Sequence, residues 1–371
     1  MTVGGELRVP CRYLMGPGPS DAHPRVLRAM ATPLVGHLDP AFLQVMDDVK
    51  EMLRAVFQTQ NALTFAVSAP GSAGMECCFV NLLEPDDEAV VCVNGVFGKR
   101  MCENVERCGA KVIRVEAPWG SAIDVAQVAE ALATCKPKLV AIVHAETSTG
   151  VLQPLEEIGK LARAAGALYL VDAVTSLGGV EVQVDAWGID AIYSGTQKCL
   201  SAPPGLSPVS FSERALAAME ARRTKVQSWF LDMSLVRQYW GKERVYHHTA
   251  PVSSMFALYE ALRLVLEEGL EARFARHRRN HELLKRELEA LGFEFLVAPA
   301  QRLPQLNAVK IPAGVEDGPV RRRLLEEYHI EIGAGLGEFA GKVWRIGLMG
   351  QSSSANHVHM LVAALREIMD Q

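Results

Sequence analysis

Between Leu63 and Phe211, short apolar runs rich in β-branched residues alternate with stretches in which apolar positions recur every three or four residues. The runs Leu63–Val67, Ala89–Val93, Lys111–Val115, Leu139–His144, Leu168–Asp172, Ala191–Ser194 and Ser207–Phe211 have strand length. Several segments between them, Leu155–Ala165 for one, carry helical spacing. Such alternation predicts an α/β domain, a mostly parallel seven-stranded sheet flanked by helices. Helical spacing then continues from Val252 to about Leu291, with Leu258, Leu262, Val265 and Leu266 on one face, as a long amphipathic connection. After it the pattern changes. Ala308–Ile311, Ile330–Ile332 and Val343–Ile346 read as strands, and Val320–Tyr328 and Asn356–Met369 as helices, giving a smaller C-terminal α+β domain. The expected boundaries are an N-terminal arm over 1–20, a large domain over 21–268 and a small domain over 269–371.

Composition narrows the function classes. With 49% hydrophobic and 22% charged residues in 371, the chain is an ordinary packed protein rather than a disordered one. A net charge of -5 argues against a nucleic-acid partner. The basic clusters Arg276-His277-Arg278-Arg279 and Arg321-Arg322-Arg323 fall in helical spacing and read as solvated helix faces. The eight cysteines (Cys11, Cys77, Cys78, Cys92, Cys102, Cys108, Cys135, Cys199) form no CxxC pair and no Cys/His set at metal-ligand spacing. They read as reduced thiols, with no metal site implied. No signal-peptide pattern and no uncharged apolar run of about 18 residues occurs. A cytoplasmic protein with small-molecule partners, without membrane or nucleic acid, is the expectation.

Polar residues cluster where the expected strands end: His144 with Glu146 and Thr147, Asp172, and Ser194 with Gln197 and Lys198. In open α/β sheets ligands bind beyond the carboxyl ends of the strands, so these residues are candidates for one crevice. Lys198 sits among small and polar residues in a strand-to-turn segment. Burial and nearby cations lower an amine's proton affinity and make it a Schiff-base nucleophile; a loop lysine reaching to solvent is the plain alternative. Asp172 closes an apolar strand and needs a cationic partner. Pyridoxal phosphate (PLP) supplies one in its ring nitrogen, while capping the next turn is the simpler role. Ser68-Ala-Pro-Gly-Ser-Ala-Gly-Met-Glu76 places small residues at a helix start, where free N–H groups suit a phosphate.

Six segments in combination carry a resemblance: Leu14-Met-Gly-Pro-Gly-Pro-Ser20, His144-Ala-Glu-Thr-Ser-Thr-Gly150, the Asp172 segment, Ser194-Gly-Thr-Gln-Lys198 with Ala202-Pro-Pro-Gly205, Val245-Tyr-His-His-Thr249, and Gly341-Lys-Val-Trp-Arg-Ile-Gly-Leu-Met-Gly350. Over nearly its whole length the chain resembles the alanine-glyoxylate and serine-pyruvate aminotransferases of class V, PLP enzymes of fold type I. The resemblance implies ping-pong transfer of an amino group from alanine or serine to glyoxylate or pyruvate. Lys198 would carry the cofactor as a Schiff base and shuttle the proton, and Asp172 would pair with the pyridinium. Pro70, Gly71, Ser72 and Gln197 would face the phosphate, and Phe97, Thr147 and Val174 the rest of the cofactor. Arg345 would hold the substrate carboxylate, and Gly16 and Thr147 would also bind the substrate. Tyr246 and Thr249 would reach the cofactor of a neighbouring subunit, which implies a homodimer.

The chain departs from that pattern in one place. Many relatives have a Ser-Gly-His phosphate turn where this chain has Pro70-Gly71-Ser72, and proline has no N–H to donate. The hydroxyl of Ser72 or of Ser68 is the expected substitute. Other readings share the framework: a donor such as hydroxykynurenine or pyridoxamine, a lyase of the cysteine desulfurase type, or an inactive dimeric binding protein. The lyase needs a mobile cysteine and usually a histidine before the lysine, whereas Gln197 precedes Lys198 and no cysteine follows Cys199.

Overall fold

The structure, a computed structural model, describes residues 4–369. Seven strands form its main sheet: β1 (Leu63–Val67), β2 (Glu88–Val93), β3 (Lys111–Glu116), β4 (Leu139–Val143), β5 (Leu168–Asp172), β6 (Ala191–Tyr193) and β7 (Ser207–Phe211). Their spatial order is β1-β7-β6-β5-β4-β2-β3. Only β7 runs against its neighbours, β1 and β6; the remaining pairs are parallel. Every residue of β1, β4, β5, β6 and β7 is buried, because helices cover both faces. That is why these strands read as continuous apolar runs rather than as alternation.

The covering helices follow from local signals. Helix α1 (Pro40–Phe57) starts on Asp39, whose carboxylate accepts from the Ala41 N–H at 2.8 Å, and Pro40 suits the first turn. It buries Phe42, Met46, Val49, Leu53 and Val56, a stripe at helical spacing. Helices α2 (Gly71–Leu82) and α3 (Val96–Arg107) leave the ends of β1 and β2 and so start at the crevice.

The amphipathic stretch after Val252 is two helices, α4 (Val252–Glu268) and α5 (Leu270–Ala290). They break at Gly269, which takes a left-handed φ of 82° open to glycine at little cost. Beyond them a three-stranded antiparallel sheet, β8 (Leu306–Lys310), β9 (Gly333–Ala334) and β10 (Val343–Gly347), has the order β8-β10-β9. With α5, α6 (Asp317–Glu327) and α7 (Ala355–Met369) it encloses a second buried cluster around Trp344, Leu284, Leu324, Ile346 and Leu361. The run expected as one strand over Ile330–Ile332 divides. Ile330–Glu331 pairs in parallel with Tyr13–Leu14, and only Gly333–Ala334 joins the sheet. Residues near the N-terminus are thereby anchored on the C-terminal unit.

The first basic cluster is not a solvated face. His277 is fully buried, and its Nε2 accepts from the Gly350 N–H at 3.0 Å. Arg276 grips Glu268 and donates to the carbonyls of Gly350 and Ser353. The buried Arg273, one turn earlier, donates to the carbonyls of Gly178 and Cys199 and pairs with Glu268 at 2.6 Å. Carbonyls deprived of water create the need for these cations. Arg278 and Arg279 are exposed, as expected. All eight cysteines are free thiols, with Cys11 exposed and Cys135 partly so. No described helix is long and apolar enough to cross a membrane.

Candidate active site

Asp172 and Tyr193 end neighbouring parallel strands, and the register sets them side by side. The Asp172 carboxylate is 2% exposed. Its Oδ1 accepts from the Val174 N–H and its Oδ2 from the Tyr193 hydroxyl, each at 2.8 Å. Burial pushes its pKa up to about 7; those two hydrogen bonds and the Lys198 amine pull down, while Glu146 pushes up.

Past Tyr193 the chain turns through residues 194–201, held by side chains bonding the backbone. Ser194 Oγ donates to the Ala173 carbonyl, Ser207 Oγ to that of Ser194, Thr196 Oγ1 to that of Pro203 and Ser20 Oγ to that of Lys198. The small polar residues of this segment are therefore its scaffold. Lys198 points inward at 9% exposure and donates its amine to the Pro17 carbonyl. The alternative of a loop lysine reaching to water is not the one adopted. Burial first, and the Arg345 charge second, lower its pKa to about 8.

Facing these groups is the N-terminus of α2. Pro70 stands at the cap position and no side chain caps the helix, so its first N–H groups and dipole are open to an anion. A cavity of about 200 Å³ runs from this turn to the strand ends. Pro70, Gly71, Ser72, Phe97, Asp172, Val174, Gln197 and Lys198, all expected from the sequence, line it. Met75, Arg100 and Tyr193 also line it and were not expected. Arg100 lies one turn beyond Phe97 on α3, its guanidinium 4.9 Å from the Phe97 ring centre. A larger open cleft of about 620 Å³ shares Ser72, Met75 and Arg100 with the cavity but not Asp172 or Lys198.

A buried carboxylate holds the start of α3. Glu146, fully buried, accepts from the Ser148 N–H and hydroxyl at 3.0 and 2.6 Å and from the Phe97 N–H at 3.2 Å. It thus fixes the helix turn that presents Phe97. In the sequence Glu146 stands only among the polar residues at a strand end, and its role at the start of α3 appears once the fold brings the two distant segments together.

The other expected residues are not part of the cavity lining. Arg345, on β10, is 7% exposed and donates Nε to the Ala334 carbonyl at 2.7 Å and Nη1 to the Thr147 carbonyl at 3.2 Å. Of the five guanidinium N–H groups those bonds use two, leaving three on the two Nη atoms. Burial brings its pKa down to about 10, against the pull of Glu146. The Thr147 hydroxyl is engaged by that of Thr175 at 2.5 Å. Gly16 is buried where the N-terminal segment crosses β10; a side chain on Gly347 would collide with its carbonyl. Tyr246 and Thr249 are exposed and outside the cavity lining. Next to them, His248 Nε2 is 2.7 Å from the Ser68 hydroxyl. Ser68 is thus engaged away from the cavity, whereas Ser72 lines it beside Pro70.

A doubly wound α/β domain with a buried lysine, a strand-end carboxylate and an uncapped helix N-terminus in one cavity defines a pyridoxal-phosphate enzyme of fold type I. The family model described as aminotransferase class-V matches residues 12–344, and the chain belongs to that family. It is 44% identical to alanine–glyoxylate aminotransferase of Oryctolagus cuniculus, covering 98% of this chain and 94% of the relative. It is 40% identical to (S)-ureidoglycine–glyoxylate transaminase of Bacillus subtilis, at 98% and 92% coverage. The solved structure of alanine–glyoxylate aminotransferase from Nostoc sp. superposes with a TM-score of 0.98 at 51% identity, covering 99% of this chain and 97% of that one.

The chain is an aminotransferase, and its family depends on pyridoxal phosphate. Its residues fit that cofactor. Besides the lysine and the uncapped helix, the Gln197 side-chain amide has a buried, unpartnered end beside the cavity, which with the amide turned over would present its NH2 to a phosphate oxygen.

Proposed function

We propose that the enzyme transfers the amino group of a small amino acid, alanine or serine, to glyoxylate, with alanine as the main donor. The observation that carries this is the tight cover over Lys198. Lys198 Nζ bonds the Pro17 carbonyl, and a side chain on Gly18 would stand 2.7 Å from that amine. The space over the amine suits a small donor. Two of the relatives above are named for alanine and all three for glyoxylate, which supports that acceptor over pyruvate.

Gly71, Ser72 and Gln197 would hold the cofactor's phosphate, Phe97 and Val174 would bound its ring, and Asp172 would meet its ring nitrogen. When bound, the cofactor supplies an electron sink for the charge left on the substrate Cα as its proton departs. Lys198, neutral for much of the time near pH 8, takes that proton and returns it. Arg345 binds the substrate carboxylate through its three remaining N–H groups and so orients the Cα–H bond toward the amine. Burial of Lys198 and Asp172 keeps water from competing for the proton.

We further infer a homodimer in which Tyr246 and Thr249 reach the partner's cofactor. The exposure of Tyr246 (58%), Trp229 (63%) and Leu34 (71%) supports it. The division into an arm over 1–20, a large domain over 21–268 and a small one over 269–371 is likewise inferred, and rests on the separate buried clusters and the break at Gly269.

The test is pyruvate formation from alanine and glyoxylate, followed with lactate dehydrogenase, and single-turnover bleaching of the cofactor's visible band by alanine, serine and (S)-ureidoglycine. Alanine is expected to react fastest. Indifference to both alanine and serine would defeat the assignment, and a response to ureidoglycine alone would transfer it to that donor. Lys198→Ala should keep the fold and lose both the visible band and turnover.

A further inference from the structure

We propose that Tyr193 is a positioning residue of the reaction: its buried hydroxyl, donated to Asp172 Oδ2, holds that carboxylate in one rotamer and in its ionised form for the cofactor's ring nitrogen. The inference rests on the reading of the cavity as the pyridoxal-phosphate site.

The geometry leaves Tyr193 little else to do with its polar end. The residue is fully buried, and its hydroxyl bonds Asp172 Oδ2 at 2.8 Å. Parallel pairing of β5 with β6 sets Asp172 opposite Tyr193. The Val174 N–H takes the other carboxylate oxygen, Oδ1. One donor on each oxygen means that the carboxylate cannot rotate without breaking both bonds, yet each oxygen keeps a lone pair for a ligand.

The charge balance points the same way. Burial and the Glu146 carboxylate both favour a protonated Asp172. Against them stand the Val174 N–H, the Tyr193 hydroxyl and the Lys198 amine. The Cys78 thiol of α2 also faces the carboxylate, but burial pushes its own pKa up and it stays neutral. A neutral Asp172 could still accept a hydrogen bond but could not hold the ring nitrogen protonated. Of the opposing protein groups, Lys198 changes its charge and position during the reaction, so beside the ring nitrogen itself the two fixed donors are the constant support of the ionised form.

Tyr193→Phe keeps the ring in its slot and removes only the hydroxyl. Apoprotein is titrated with pyridoxal phosphate by equilibrium dialysis between pH 6 and 9, in wild type, Tyr193→Phe, Asp172→Asn and the double variant. Loss of one hydrogen bond to a charged group predicts roughly tenfold weaker binding at pH 7. The acid-side loss of affinity should begin about one pH unit higher than in wild type. In the Asp172→Asn background the second substitution should have no further effect. An unchanged pH profile with only a lower melting temperature would make Tyr193 a packing residue and overturn the inference. An equal loss in the Asp172→Asn background would overturn it too. If wild type binds and Tyr193→Phe matches it, this inference alone fails; if wild type does not bind pyridoxal phosphate, the reading of the cavity fails with it.

Discussion

A lysine serves as a base only in proportion to the time its amine is neutral. An unperturbed amine, near 10.4, is almost wholly charged at physiological pH. Lys198 is brought to about 8 by two separable causes, loss of water and the Arg345 charge. The second can be removed by a single substitution. In the apoprotein, acetylation of Lys198 by acetic anhydride, read by peptide mass spectrometry, should rise with pH through a midpoint near 8. Arg345→Gln should move that midpoint up, because a like charge that disfavoured the ammonium is gone. A midpoint above 10 in wild type would show that the amine is not activated before the cofactor arrives. On the proposed reading Arg345 would thus act on the lysine as well as on the substrate.

At the scale of elements, the site depends on where helices begin. Helix α3 starts against the buried carboxylate of Glu146, and Gly95 permits the approach: a side chain there would run into that carboxyl group and stand 2.6 Å from Ser148 Oγ. Gly95→Ala should cost about 1–3 kcal/mol, as overpacking does, and should weaken cofactor binding because Phe97 moves with the turn. Thermal melting and dialysis against pyridoxal phosphate measure the two; a variant matching wild type in both would show that the turn adjusts freely. Most strands were legible because burial on both faces writes an apolar run, and Asp172, Gln197 and Lys198 because polar residues interrupt such runs at the crevice. Tyr193 was not, since an aromatic at a strand end reads as core until its register with Asp172 is known. Arg276 and His277 misled for a related reason: helical spacing records which positions share a face but not what that face meets, here a backbone carbonyl and N–H of Gly350 rather than water. The pairing of Ile330–Glu331 with Tyr13–Leu14 joins distant segments by backbone bonds, which leave little trace in side-chain pattern.

Across the whole molecule the same buried polar groups set its response to acid. His144 and His277 are 4% and 0% exposed, and burial lowers each to about pKa 3. In the unfolded chain they titrate near 6.5, so between about pH 3 and 6.5 unfolding takes up protons and stability rises with pH. Their contribution is complete above 6.5 and is lost as the pH falls through that window. Asp172 has the opposite sign: raised to about 7, it binds a proton in the folded apoprotein that the unfolded chain gives up near 4, so its contribution declines as pH rises between those values. Two histidines against one carboxylate leave a net acid lability from these three groups. The part-buried His248, lowered to about 4 by burial and then by His247, adds to it. His277 is the informative one to replace because glutamine can reproduce both its bonds, to the Gly350 N–H and to the Arg273 carbonyl, without titrating. His277→Gln should fold, and the slope of apoprotein stability against pH between 4.5 and 6 should fall by one proton's worth, about 1.4 kcal/mol per pH unit. Urea denaturation at several pH values measures that slope, and an unchanged slope would mean that His277 carries its proton inside the fold.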